Sequence, residues 1–246
     1  MVPTKSIKKV SFNFRPGRCI GPQYEVVCLL GSGSEGEVYK ILERETGIHR
    51  AAKFYYPNME PHDRAVVWYA QKLNHLRSCP IVLQYHHTQA IQVARKRVLC
   101  LISDFCEGVQ LEQWLLQQKG HRAPPFTALN ILYRLVQGLE LVHGVGEYHG
   151  DVHSQNILLR PRGVSFELKL VDFFNWGPPA KHKKQQDILD AVRVFYECLG
   201  GRRYYREQAP QIKYICSALR RDLLFERFPT MSALRVYLES FEWISL

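Results

Sequence analysis

A polar segment, HGDVHSQN at residues 149–156, carries an aspartate and an asparagine five positions apart, directly after a long helical pattern. The Asp151 carboxylate can orient an attacking hydroxyl and accept its proton, while the amide oxygen of Asn156 can hold a metal ion. A loop of ordinary polar turn residues would explain the polarity but not this particular set of side chains. The segment therefore indicates acid–base chemistry beside a cation.

A second carboxylate, Asp172, ends the short apolar segment LKLVD. An aspartate at the end of a strand can bind Mg²⁺ that bridges phosphate groups. Capping of a turn is the common structural role of such a residue. Taken alone, Asp172 leaves both interpretations open.

Three glycines, Gly31, Gly33 and Gly36, occur in GSGSEGEV between two strand-like segments. Glycines in a hairpin allow backbone amides to approach an anionic ligand closely. Lys53 follows in the next apolar strand, from which it can hold phosphate oxygens as a point charge. An ordinary glycine-rich hairpin and a solvent-facing lysine are the alternative interpretations of these features.

The elements that must position these residues change in character along the chain. Residues 24–105 contain five short apolar, strand-like segments and one helical pattern from Pro61 to about Arg77, whereas two short strands interrupt the helical patterns that follow. One predicted helix covers residues 209–224. The pattern predicts an α+β fold of two lobes with a cleft between them: a basic tail at 1–20, a β-rich N-lobe at 21–105 and a helical C-lobe at 106–246.

In their order, the glycine hairpin, the strand lysine, the HGDVHSQN loop and the strand-end aspartate resemble the signature set of the protein kinase family. The resemblance extends from about Tyr24 to the C-terminus. LCLISDFCEG resembles the segment that links the two lobes, and RRDLLFERFPTMSAL resembles the closing segment with its arginine at Arg227. DILDAVRVFYECLGG resembles the central C-lobe helix, in which Asp187 braces the catalytic loop.

The resemblance implies a kinase-like fold, ATP and Mg²⁺ as cofactors, and a role for each matched residue. The residues that it places around phosphate and the acceptor are Gly31, Gly33 and Gly36 over the ATP phosphates, Lys53 on the α- and β-phosphates, Asp151 as catalytic base, and Asn156 with Asp172 on Mg²⁺. The residues that it places around adenine are Val38, Ala51 and Leu158 on its faces and the backbone of Asp104 to Cys106 at its edge. His153 stands where protein kinases usually carry lysine, and we count it among the catalytic residues.

The sequence departs from the family at the helix that follows Lys53. Active kinases pair the strand lysine with a glutamate of that helix. No acidic residue occurs between Arg64 and Ser103, and the expected position falls near Tyr69 or Ala70. Either another group holds Lys53, or the pair is absent and activity is lowered.

The segment after Asp172 is also reduced. Gly150 replaces the arginine that usually receives a phosphorylated activation loop, and Phe174 replaces a glycine. Only 14 residues separate Asp172 from Asp187. We expect a short, fixed segment that is not switched by phosphorylation.

We therefore expect an ATP- and Mg²⁺-dependent kinase that acts on serine or threonine of a protein substrate. The missing helix glutamate favours an alternative, a pseudokinase that acts as a nucleotide-binding interaction module. His153 favours another, because HGDxHxxN is closer to small-molecule kinases of the aminoglycoside and choline kinase type.

Composition limits the remaining classes. The 33 basic and 23 acidic residues leave a net charge of +10, which favours anionic partners without choosing among them. The seven cysteines include no CxxC pair, as expected for reduced thiols in the cytoplasm. No apolar run reaches the roughly 20 residues that span a bilayer. We expect the basic RRYY segment at 202–205 to connect helices rather than to bind nucleic acid.

Overall fold

The computed structural model describes residues 11–56, 62–163, 165–173, 177–217 and 219–240. The chain divides into two compact units, the first of residues 1–74 and 84–105 and the second of residues 75–83 and 106–246. Residues 1–10 of the expected tail and Pro61, the expected start of a helix, lie outside the described residues.

A six-stranded antiparallel sheet forms most of the first unit, with its strands in the order β1-β2-β3-β4-β6-β5. The strands are β1 (Cys19–Ile20), β2 (Tyr24–Ser32), β3 (Gly36–Glu43), β4 (His49–Tyr55), β5 (Tyr85–Val93) and β6 (Lys96–Asp104). The helix α1 (His62–His75) lies between β4 and β5 in the sequence. Alternate residues of the central strands, including Tyr39, Ile41, Ala52 and Phe54, form a buried core on one face of the sheet.

Phe12, Phe14 and Ile20, in the segment that we expected to be a basic tail, are buried in this core. Phe14 packs edge-on against Phe54 with ring centroids 5.0 Å apart, and Phe12 stacks on Tyr56 at 5.3 Å. Two aromatic side chains spaced two residues apart thus bury their area against the sheet despite basic neighbours.

Glu37 anchors the same segment by hydrogen bonds although it is a buried carboxylate. It accepts hydrogen bonds from Ser11 Oγ (2.7 Å), the Phe12 N–H (3.1 Å), Tyr56 Oη (3.1 Å) and the hydroxyl of Tyr39. Burial alone would raise the pKa of Glu37, but these donors lower it below its usual value. Burial and the bond to Glu37 raise the pKa of Tyr39 to about 12.

The second unit is mainly helical and contains a small sheet in the order β7-β8-β9. Its elements are β7 (Val109–Gln110), α2 (Leu111–Gln117), α3 (Pro125–Gly144), β8 (Ile157–Arg162), β9 (Ser165–Leu170), α4 (Lys181–Cys198), α5 (Pro210–Ser217), α6 (Arg221–Arg227) and α7 (Met231–Glu239). The central helix α3 packs against α4, α7 and β9. A Cβ atom at Gly138 would lie 2.2 Å from Ile81, so glycine permits close packing on α3. None of the described helices is long and apolar enough to span a bilayer.

The single helix expected at residues 209–224 is two helices, α5 and α6. Arg220 before α6 has an extended conformation, which ends the helical path. Arg227 at the end of α6 donates to the carbonyl of Tyr214 (3.0 Å) and to the hydroxyl of Ser217, and its guanidinium lies 3.9 Å from the Tyr214 ring centroid. These contacts fold α6 back onto α5.

Candidate active site

The glycine hairpin joins β2 to β3, and Gly33 N–H donates to the Gly36 carbonyl at 2.9 Å. A Cβ atom at Gly36 would lie 1.9 Å from the Phe54 carbonyl oxygen, so only glycine permits this approach to β4. At Gly31 and Gly33, a Cβ atom would meet nothing within 4 Å. The backbone of these two glycines therefore borders open space.

Val38, Ala51 and Lys53 share the face of the sheet opposite the aromatic core. Lys53 is the cross-strand partner of Val38, and Ala51 lies two residues before Lys53 on the same strand. Side chains two residues apart on a strand point to the same side, whereas Ala52 and Phe54 between and beside them enter the core. This face of the sheet, beneath the hairpin strands, thus carries the small side chain of Ala51, the branched side chain of Val38 and the ammonium of Lys53.

Lys53 forms an ion pair with a residue of the glycine hairpin. Its Nζ donates to Glu35 Oε2 at 2.9 Å, and the lysine and glutamate side chains are 12% and 26% exposed. The Nζ atom also lies 5.7 Å from the ring centroid of Tyr69, which occupies the expected region for the helix glutamate. Among the described residues, Lys53 is thus contacted by a carboxylate of the hairpin and by an aromatic ring of α1.

Asp104 and Cys106 belong to the two ends of the linking segment. The Asp104 carboxylate accepts from Arg50 Nη1 (3.0 Å) and contacts His86 Nε2 (2.7 Å), while its N–H donates to the Gln84 carbonyl (3.0 Å). The Asp104 side chain is therefore held inside the first unit. Burial raises the pKa of the Cys106 thiol in the second unit, which keeps that side chain neutral.

The catalytic-loop residues Asp151, His153 and Asn156 lie together in the second unit. The Asp151 side chain is 65% exposed, and its Oδ2 atom lies 3.4 Å from His153 Nε2. Asn156 Nδ2 donates to the Asp151 carbonyl at 3.0 Å and contacts Asp151 Oδ2 at 3.3 Å. The aspartate therefore presents its carboxylate to solvent in an orientation fixed by two neighbours.

Asp187 on α4 holds the start of this loop. It is fully buried, and its carboxylate accepts from Gly150 N–H (2.7 Å), His149 N–H (2.8 Å) and His143 Nε2 (2.9 Å). A buried carboxylate with three donors fixes the backbone that precedes Asp151.

His149 connects the loop to the segment that contains Asp172. Its Nδ1 accepts from the Asp151 N–H (3.2 Å), and its Nε2 then donates to the Val171 carbonyl (3.0 Å). Val171 N–H donates to the Asn156 carbonyl at 3.0 Å. Asp172 directly after it has a φ of 62°, a left-handed conformation that aspartate tolerates better than most residues. Both candidate metal-binding residues are therefore fixed by one hydrogen-bonded network.

The predicted site residues thus occur in two sets, one in each unit. Gly31, Gly33, Gly36, Val38, Ala51, Lys53 and Asp104 belong to the first unit, and Cys106, Asp151, His153, Asn156, Leu158 and Asp172 belong to the second. Leu158 on β8 is half-buried and alternates with the fully buried Ile157 and Leu159, so it faces away from the C-lobe core. Phe174 lies outside the described residues.

The residues present fit ATP and Mg²⁺. The open glycine backbone and Lys53 suit phosphate oxygens. The carboxylate of Asp172 and the amide of Asn156 supply the oxygen ligands that Mg²⁺ prefers. Because Asn156 Nδ2 is used by Asp151, its Oδ1 is the atom suited to a cation.

Sequence reasoning gave no role to Glu35 or His143. Glu35 had a sequence signal, since it is an acidic residue inside the glycine motif of a unit whose expected helix glutamate is missing. His143 had none, because its contact with Asp187 joins residues 44 positions apart.

Comparison with known proteins agrees with this geometry. The family model described as "Protein kinase domain" matches residues 24–208. The kinase domain of Mycobacterium tuberculosis PknI, solved as a double mutant, has a TM-score of 0.64 and 18% sequence identity, and the match covers 92% of this chain and 97% of that one. The expected kinase-like fold, with a β-rich N-terminal sheet and a helical region, is confirmed.

Curated relatives carry kinase names. Mitogen-activated protein kinase kinase 10 of Arabidopsis thaliana is 32% identical over 61% of this chain and 45% of its own length. Serine/threonine-protein kinase 10 of Danio rerio is 28% identical over 77% of this chain and 19% of its own. This chain therefore matches less than half of each of these relatives. Given the family match over residues 24–208, the chain belongs to the protein kinase family.

Proposed function

We propose that the chain is an ATP- and Mg²⁺-dependent protein kinase that phosphorylates serine or threonine hydroxyls. The observation that carries the proposal is the arrangement of Asp151, an exposed carboxylate held by Asn156 and His153 on a loop that Asp187 braces. The serine/threonine kinase names among the relatives support the choice of acceptor.

Asp151 orients the acceptor hydroxyl and takes its proton as the new bond between the hydroxyl oxygen and the γ-phosphorus forms, while the bond from that phosphorus to the β–γ bridging oxygen breaks and ADP leaves. His153 Nε2, 3.4 Å from the carboxylate, is a positioning group that keeps the oxygen aimed outward. When bound through Asn156 and Asp172, Mg²⁺ supplies positive charge that offsets the charge of the phosphates. The rate enhancement then comes mainly from positioning and charge neutralisation.

Lys53 and the backbone of Gly31 and Gly33 bind the phosphate oxygens. Because Lys53 contacts Glu35, the ammonium is already held close to the hairpin. Val38 and Ala51, on the same face of the sheet as Lys53, provide apolar surface for adenine in the first unit. The backbone of Asp104 to Cys106 is assigned to the adenine edge.

We further propose that phosphorylation of the segment after Asp172 does not regulate this kinase. The 14 residues between Asp172 and Asp187 include no serine, threonine or tyrosine. The helix α4 begins at Lys181, so the last six of these 14 residues are helical. Gly150 also offers no side chain to bind a phosphate.

The decisive experiment measures Mg²⁺-dependent transfer from labelled ATP to a serine/threonine peptide library, with a metabolite collection as a parallel arm. Asp151→Asn should lower kcat by about 10³-fold while leaving the Kd of ATP unchanged, because the amide cannot accept the proton. Asp172→Ala should abolish the Mg²⁺ dependence of ATP binding. Transfer to metabolites alone would contradict a protein acceptor, and an equal loss of ATP affinity in Asp151→Asn would contradict the role of that residue.

One observation favours a pseudokinase as the second candidate. Glu35, in the hairpin that would bind phosphates, places a negative charge next to Lys53. From α1, the side chain that approaches Lys53 is Tyr69 and not a glutamate. In this case the chain would bind nucleotide without turnover. ATP binding combined with no transfer in either arm would favour this candidate.

A further inference from the structure

The second unit contains a cavity that the proposed phosphate transfer does not use. Its volume is about 340 Å³, and it lies between the first turns of α4 and the start of α6, next to the loop that precedes Asp151. The lining residues that bear on its chemistry are Tyr148, Gly150, His182, Lys183, Arg221 and Phe225. All of them belong to the second unit.

The lining is basic. Lys183 and Arg221 each bring a positive charge, His182 adds a titratable ring, and no carboxylate occurs among the described residues that line the cavity. Lys183 Nζ is fixed by hydrogen bonds to Tyr148 Oη (2.8 Å) and the Pro178 carbonyl (3.1 Å). Its ammonium therefore has a defined place at the cavity wall.

Arg221 differs from its neighbour in the sequence. Arg221 Nη2 donates to the neutral amide oxygen of Gln186 at 3.0 Å, whereas Arg220 forms an ion pair with Asp222 at 2.6 Å. Only Arg221 of this pair lines the cavity. The positive charge of Arg220 is therefore offset by a carboxylate, whereas Arg221 contacts a neutral amide and brings its positive charge to an anionic ligand.

The end of a helix adds to the positive potential. The helix α4 has 18 residues, its N-cap Ala180 makes no side-chain cap, and its first turn has no acidic residue. The N-terminus of a helix carries a partial positive charge from unpaired N–H groups. This end of α4 carries the lining residues His182 and Lys183.

The cavity also lies next to the candidate catalytic base. Gly150 lines it, and Asp151 is the following residue, about 3.8 Å away between Cα atoms. An extended peptide advances about 3.3 Å per residue, so a group bound in the cavity would belong to a position within a few residues of the acceptor. Tyr148 and Phe225 provide an apolar wall for the carbons of that side chain.

We propose that this cavity binds an anionic side chain of the substrate, a phosphorylated or an acidic residue, within about three positions of the phosphorylated serine or threonine. The proposal rests on the proposed kinase function. It names the class of peptide that this kinase would select, and the +10 net charge of the chain is consistent with it.

The test measures binding of fluorescent peptides to the full chain by anisotropy, without ATP. All peptides contain the same serine acceptor and one variable residue, which is phosphoserine, aspartate or alanine. In different peptides, the variable residue is placed at each position from three residues before the acceptor to three residues after it. The proteins are the wild type, Arg221→Gln and the control Arg220→Gln, each checked by its thermal unfolding curve.

We expect the wild type to bind an anionic peptide about tenfold more tightly than the alanine peptide, because charge-assisted hydrogen bonds contribute about this much. Arg221→Gln should remove most of this preference and Arg220→Gln should retain it. Tighter binding of phosphoserine than of aspartate would identify a phosphorylated substrate, and equal binding an acidic one; both support the proposal.

Three results would overturn it: equal affinity for all peptides, an equal loss in both arginine variants, or an equally Arg221-dependent affinity for phosphatidylserine vesicles. Failure of the proposed function is distinguishable from these results. Arg221-dependent peptide binding with no phosphate transfer would contradict the proposed kinase activity and support the binding cavity. Phosphate transfer without a preference for anionic peptides would support the kinase activity and contradict the binding cavity.

Discussion

Lys53 obtains its acidic partner from an unusual place in the sequence. Its partner Glu35 lies in the glycine hairpin, with 2.9 Å between Nζ and Oε2, and both side chains keep partial exposure. A phosphate that approaches Lys53 must therefore share or replace the glutamate, because both are anions. We therefore expect Glu35 to compete with phosphate for Lys53 as well as to hold the lysine in place.

Glu35→Gln should therefore lower the Kd of ATP about two- to fivefold, since a partly exposed ion pair contributes roughly 0.2–1 kcal/mol. The control is Glu45→Gln, which removes the same charge from an exposed turn of the same unit. Calorimetric titration with Mg²⁺-ATP measures both. Weaker binding in Glu35→Gln would mean that Glu35 holds Lys53 for ATP and does not compete with it.

At the scale of elements, two carboxylates join segments that are distant in the sequence. Asp187 ties α4 to the catalytic loop and, through His143, to the last turn of α3. Glu37 ties the segment at Ser11 and Phe12 to β3. Each is buried and accepts several hydrogen bonds, so each loses more than one contact if its charge is removed.

His143→Ala should lower kcat about tenfold while leaving the Kd of ATP unchanged. It removes one of the donors of Asp187, and a hydrogen bond to a charged group contributes about 1.5–3 kcal/mol. His121→Ala, at an exposed histidine of the second unit whose ring contacts the Leu116 carbonyl, is the control. Steady-state kinetics at saturating ATP give the answer, and an unchanged kcat would show that Asp187 does not need this donor.

Glu37→Gln should reduce the free energy of unfolding at pH 7 by about 1–3 kcal/mol, because a buried charged acceptor is replaced by a weaker one. The folded-state pKa of Glu37 is lowered, so its contribution to stability is present above the usual glutamate value and lost as the pH falls through the folded-state pKa. In urea unfolding, the free energy of unfolding of the variant should therefore fall less steeply with decreasing pH than that of the wild type. Glu25→Gln, at an exposed ion pair with Arg44, serves as control. A pH dependence identical to that of the wild type would refute the role of Glu37.

At the scale of the whole molecule, the loop of the proposed catalytic residues is held by contacts among side chains and backbone of the protein itself. Asp187, His149 and the contact between Val171 and Asn156 fix the loop by hydrogen bonds within the second unit. No hydroxyl residue occurs between Asp172 and Asp187. We infer that the chain needs no activating modification there.

Phosphatase treatment should accordingly change kcat by less than about twofold, because the contacts that hold the proposed catalytic loop come from side chains and backbone. The protein is purified, divided, treated or mock-treated, and analysed for residual phosphate before the assay. A kinase with a phosphorylated activation loop, treated in parallel, verifies the phosphatase. A tenfold loss of activity would show that phosphorylation elsewhere in the chain controls the site.

The fold, which the comparisons confirm, could be predicted from the sequence because the motifs that indicate it depend on local chemistry. Glycine spacing, an apolar strand that ends in Asp172, and the loop around Asp151 are all readable from neighbouring residues. The Lys53–Glu35 pair was not predicted, because a known family contact directed the expectation to α1. Phe12 and Phe14 were missed because two aromatic residues are too short a pattern to identify a buried segment among basic residues.

The anchoring of Arg227 has a consequence for how this protein can change over evolutionary time. Its guanidinium is held by Tyr214 and Ser217 of α5, so the C-terminal helices secure their own closing arginine. These contacts of Arg227 therefore do not depend on the length of the chain before α4. A lineage could lengthen that stretch, or a designer graft a regulated one into it, without first rebuilding the end of the molecule.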